Sequence, residues 1–106
     1  MKKKQRPNYM PKIFWECENT ENRGYWILHA WACVPGDESL EVTAEYHLPH
    51  MYEKRTGGLS PVVFKTIEDM AVSVSYKYNT LVRKLASKNK HAQKALDAIE
   101  EWYEQS

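Results

Sequence analysis

Every glycine and proline of this chain, nine in all, lies at or before Pro61, so residues 62–106 run without a strong helix breaker. That asymmetry restricts the fold more than any motif does. The first half is cut by Gly24, Pro35, Gly36, Pro49, Gly57 and Gly58 into short segments, while the second half can hold one long helix or two joined ones. At 106 residues the chain fits one domain with a single core, too small for a core and a deep substrate cleft as well.

Three segments of the first half alternate in polarity and predict strands. Ile13–Glu18 sets Ile13, Trp15 and Cys17 against Phe14, Glu16 and Glu18, and residues 21–24 supply a turn. Tyr25–Val34 is stopped by Pro35-Gly36-Asp37, in which proline presets its torsion and glycine admits positive φ. Leu40–Leu48 places Leu40, Val42, Ala44, Tyr46 and Leu48 on one face, with Glu41, Thr43, Glu45 and His47 on the other. Short connections make these an antiparallel meander, one face of which must be covered by the helical half.

For that cover, Ser60-Pro61 is the expected N-cap and first helical residue, with the serine hydroxyl accepting a free amide. Val63, Ile67, Met70, Val74, Tyr78, Leu81 and Leu85 follow at three- and four-residue steps as the core-facing stripe. The stripe weakens near Asn89, which predicts a break between Ser87 and Lys90 and a second helix carrying Ala92, Leu96, Ile99 and Tyr103. Residues 71–78 also alternate strictly and are rich in β-branched and aromatic side chains, so a fourth strand stays open there. The expected fold is α+β: a three-stranded meander followed by a long helix and a shorter one on one sheet face. Residues 1–12 are expected to be a basic flexible arm and 13–106 a single domain.

The net charge of +1 conceals segregation by segment. Residues 2–12 carry five basic groups and no acid, residues 13–53 eight acids against Arg23, residues 54–94 nine basic groups against Glu68 and Asp69, and the end is acidic again. Such blocks create local fields that govern the choice of partner. No apolar run is long enough for a membrane span or follows the charged start as a signal peptide requires, so a soluble, cytoplasmic chain without membrane contact is expected. Cys17 and Cys33 are expected to be free buried thiols.

Assigning Trp26, Leu28, Ala30, Ala32 and Val34 to the core, with Ile13, Trp15, Val42, Ala44 and Tyr46, leaves an opposite face of distinctive composition. Glu16, Glu18, Tyr25, His29, Trp31, Glu41, Glu45 and His47 fall there, carboxylates interleaved with rings, as expected of a protein-binding surface. A metal set could be drawn from His29, Cys33, His47 and His50, but no paired-cysteine or His-Glu-x-x-His spacing supports it, and no cofactor is expected. Glu45 with His29 or His47 could form an acid–base pair, yet no nucleophile elbow or phosphate-binding glycine loop accompanies it, and Gly57-Gly58 reads as a turn. The expectation is therefore a non-enzymatic inhibitor or adaptor of phage or mobile-element type, whose acidic face mimics nucleic acid against a basic nucleic-acid-binding protein. The alternative is direct nucleic-acid binding through Lys2, Lys3, Lys4 and Arg6 of the arm and Lys77, Arg83, Lys84 and Lys88 of the helical half.

The order Pro7-x-Tyr9, three strands, a Gly57-Gly58 loop and a helix is loosely similar to a double-stranded-RNA-binding domain over about two thirds of the chain. The helix opens Ser60-Pro61-Val62-Val63-Phe64 where that family has a lysine cluster, and the family's first helix is missing, so no binding residue is carried over.

Overall fold

The computed structural model describes residues 8–20 and 24–105. Three strands, β1 (Phe14–Thr20), β2 (Tyr25–Val34) and β3 (Asp37–Leu48), pair in the order β1-β2-β3, antiparallel throughout. Helices α1 (Pro61–Leu85) and α2 (Lys90–Gln105) follow, giving the expected α+β fold. Gly36, at φ 90°, takes the left-handed position of the Pro35-Gly36 turn, and Val34 pairs directly with Asp37. β3 therefore starts three residues before the expected Leu40. The Asp37 carboxylate accepts the Ser39 amide at 3.1 Å, and the ladder shifts register between Cys33 and Val34 to absorb the extra residues.

Residues 71–78 are helical, which closes the question of a fourth strand. Without a turn residue on either side the helical backbone ladder continues through them, and their alternation leaves Val72 and Tyr76 on the exposed side of α1. The outer edge of β3 is met by a side chain: the Lys77 ammonium donates to the Thr43 carbonyl at 2.7 Å. Ser60 is the N-cap and Pro61 the first helical residue, but the serine hydroxyl makes no capping bond. Its carbonyl accepts Val63 N–H at 2.9 Å, while its own N–H is tied to Met51 O at 2.9 Å, so the backbone anchors the start of α1.

α1 packs on β3 and β2, and α2 packs mainly on α1 with lighter contact to β2. Leu28, Ala30, Ala32, Val34 and Leu48 of the sheet meet Val63, Met70, Val74, Tyr78, Val82 and Ile99 in the core. The helical stripe departs from expectation at its C-terminal end, where Val82 is fully buried and Leu81 and Leu85 are only partly so. There α1 is enclosed from a second side by α2, which turns its buried direction toward Ser75, Asn79 and Val82. Trp15 and Tyr46 lie on the helix side of the sheet, as their pairing with Ala30 and Leu28 requires, yet remain 39% and 53% exposed. Two helices are too few to roof the whole sheet, and neither packs along β1.

Residues placed in the arm by sequence take part in this packing. Pro11 is buried, the Tyr9 ring stands 6.3 Å from Tyr78 and 5.8 Å from Trp102, and Asn79 Nδ2 donates to Tyr9 O at 2.7 Å. Burial, and then the neighbouring Tyr9, push the Tyr78 phenol above its usual value. The break between the helices falls where expected. Asn89 caps α2, its Oδ1 accepting His91 and Ala92 N–H at 2.8 and 3.1 Å, while its Nδ2 donates to Asp37 Oδ2 at 3.3 Å.

Candidate binding face of the sheet

Pairing register carries the candidate residues onto one surface. Across the strands run the rows Phe14–Trp31–Thr43, Glu16–His29–Glu45 and Glu18–Ile27–His47, with Thr20–Tyr25 and Cys33–Glu41 at the ends. Successive side chains of a strand point to opposite faces, so Glu16, Glu18, Tyr25, His29, Trp31, Glu41, Glu45 and His47 all share the face opposite the helices. His29 has a glutamate paired across from it on either side, Glu16 on β1 and Glu45 on β3.

The rings on this face support each other. Phe14 and Trp31 are stacked at 5.8 Å, His29 and Trp31 are tilted at 5.2 Å, and Tyr25 and His47 are stacked at 4.9 Å with planes 13° apart. The Lys12 ammonium lies over Phe14, 5.1 Å from its centroid, and brings a cation to the edge of a surface with four glutamates. Glu45 reaches His47 Nε2 at 3.5 Å with both side chains more than half exposed, which is worth little as an ion pair.

At the Trp31 end, Lys12, Phe14, Trp31, Cys33, Glu38 and Glu41 line an open hollow of about 530 Å³ beside the Pro35-Gly36 turn. Partial burial first, and then the Glu41 carboxylate, to which its Sγ–H donates at 3.7 Å, push the Cys33 thiol up. Lys12, Cys33 and Glu38 were not among the candidate partner-binding residues. Lys12 carried a signal, since it lies two positions before Phe14 and shares its side if the extended chain begins earlier, whereas Glu38 is brought in only by the register shift.

The imagined metal set is not assembled. His29 pairs with Glu45 and Cys33 with Glu41, and among the described residues no group of three or more His, Cys, Asp or Glu side chains is placed to hold a metal ion. Cys17 is exposed rather than buried, Cys33 is half-buried, and both are free thiols on opposite faces of the sheet. Gly57 takes φ 73° in a turn closed by Glu53 N–H donating to Gly58 O at 2.8 Å.

The alternative basic set comes from two parts of the chain. Lys2, Lys3, Lys4 and Arg6 lie outside the described residues. Lys77 is engaged with the β3 edge, Lys84 follows two turns later beside Arg83 in the last turn of α1, and Lys88 lies in the connection to α2. Among the described residues no helix is long and apolar enough to cross a membrane. No family model matches this chain, and neither a curated protein nor a solved structure matches it.

Proposed function

We propose that this protein is a non-catalytic binding module whose open sheet face docks a basic surface of a nucleic-acid-binding protein. The observation that carries the reading is the convergence of Glu16, Glu18, Glu41 and Glu45 with Tyr25, His29, Trp31 and His47 on one uncovered face. Aromatic rings supply rigid contact area, and carboxylates accept the hydrogen bonds a basic groove would otherwise give to phosphates. In this reading the protein acts as an inhibitor or adaptor of phage or mobile-element type in the cytoplasm, by mimicry of nucleic-acid charge. Direct nucleic-acid binding is the weaker reading, because Lys77 is held by the sheet edge and an anionic probe would meet four glutamates on the face with the richest aromatic cluster.

Affinity capture from nuclease-treated lysate, with wild type beside the Glu41→Lys/Glu45→Lys variant, tests this. Basic proteins retained by the wild type and lost with the variant are expected, because slower association and like-charge repulsion weaken such a complex while the isolated fold is unaffected. Salt-sensitive binding of labelled duplex or single-stranded probes, lost when Lys77, Lys84 and Lys88 are neutralised and kept in the glutamate variant, would overturn the proposal in favour of the alternative.

A further inference from the structure

The solvent side of α1 is not uniformly polar. Val62, Lys65, Asp69, Val72 and Tyr76 are all exposed or nearly so, the three apolar members at 61%, 59% and 62%. Their separations of three, four, three and four residues are those of a seam between packed helices, and at 3.6 residues per turn they form a single ridge. None of the five is among the buried residues of α1.

The ridge is complementary to itself. Val62 and Val72 lie equally far on either side of the level of residue 67, and so do Lys65 and Asp69, with the members of each pair displaced to opposite flanks of the ridge. A two-fold axis crossing the ridge at that level sets Val62 of one copy on Val72 of the other and Lys65 on Asp69, each contact occurring twice, as an isologous interface requires. Tyr76 then lies beyond the level of the second copy's Pro61, where its α1 begins. Parallel pairing in register would instead set Lys65 on Lys65 and Asp69 on Asp69. The free edge of β1 is a poorer site for self-association, since antiparallel pairing about Cys17 opposes Glu16 with Glu18.

We propose that α1 is the contact of a homodimer, an antiparallel α1–α1 pair closed on this ridge by a second copy of the chain. Within one chain Lys65 Nζ and Asp69 Oδ1 are 3.0 Å apart, and the dimer joins the two pairs into a ring of alternating charge. One helix ridge buries less than the roughly 800 Å² per partner of a standard interface, so the dimer is weak and forms as concentration rises.

Sedimentation velocity over a wide concentration range tests this with wild type, Lys65→Glu and Asp69→Lys, with circular dichroism to establish that each is folded. The wild-type mass is expected to climb from 12.5 kDa toward twice that value. Each single variant is expected to stay monomeric, since its dimer opposes like charges at both contacts. An equimolar mixture of the two variants is expected to dimerise again. Across the axis the introduced glutamate of one copy then meets the introduced lysine of the other, and the retained Asp69 of the first meets the retained Lys65 of the second. No effect within one chain mimics that rescue. A wild type that stays monomeric, a single variant that dimerises as well as wild type, or a mixture that stays monomeric would each overturn the proposal.

Discussion

Gly36 is held between two demands, a left-handed torsion and the His91 ring packed over its Cα. A Cβ built there would stand 2.5 Å from His91 Nδ1, so alanine both strains the backbone and displaces the imidazole. Gly36→Ala is expected to lower stability, and in a His91→Ala background only the torsional part, about 1–2 kcal/mol, should remain. Denaturant titration of the four-member cycle measures this, and an equal cost in both backgrounds would show that the ring is not in the way. Packing gives a second expectation at this scale. Ile99→Ala should cost about 2–5 kcal/mol because Ile99 is fully buried, and Leu81→Ala should cost less because Leu81 is only half-buried. From sequence Leu81 and Val82 could not be ranked correctly, because α1 has a rotating buried side whose direction depends on where α2 docks.

At the scale of elements, the junction of the β2–β3 turn with the start of α2 is a polar clamp. Removing the cap with Asn89→Ala is expected to cost about 0.5–2 kcal/mol and to loosen Asp37 as well. The Ser39 hydroxyl first, and then, against an opposing desolvation effect, the Asn89 amide, the Ser39 N–H and nearby His91, hold the Asp37 carboxyl below its ordinary value. A carboxyl whose folded value is lowered stabilises the fold at neutral pH and loses that contribution as pH falls through the acid range below its ordinary value. Asp37→Asn should therefore flatten the acid side of a stability–pH profile, and an unchanged profile would remove Asp37 from the clamp. The strands and the helix break were legible because alternation and turn residues are local signals. The bound of β3 was not, since the register shift beside Val34 depends on how Asp37 is held. Nor was the state of residues 71–78, where Val72, Val74, Tyr76 and Tyr78 suit a strand or a helix equally and the helical ladder decides.

For the whole molecule, the sheet divides two surfaces of different character. On one side are the carboxylates and rings of β1–β3, and on the other, beyond the core, the ridge of α1. The composition of the open face was legible residue by residue, because alternation alone decides which side a strand residue takes. The incomplete roof over Trp15 and Tyr46 was not, because it depends on α2 settling on α1 and leaving β1 uncovered. If two copies close on the ridge, their acidic faces point away from the interface and the assembly is bivalent. The prediction concerns dissociation from a sensor surface coated with an arginine-rich peptide. At high peptide density the wild type should leave about tenfold or more slowly than Val72→Ser/Tyr76→Ser, which trims the ridge without changing net charge, because a second attachment raises effective concentration. At sparse density the two should converge, since only one face is then engaged at a time. Glu41→Lys/Glu45→Lys should lose retention at both densities while still dimerising. Equal dissociation of wild type and ridge variant at high density would separate the two surfaces functionally, leaving the acidic face to act one copy at a time.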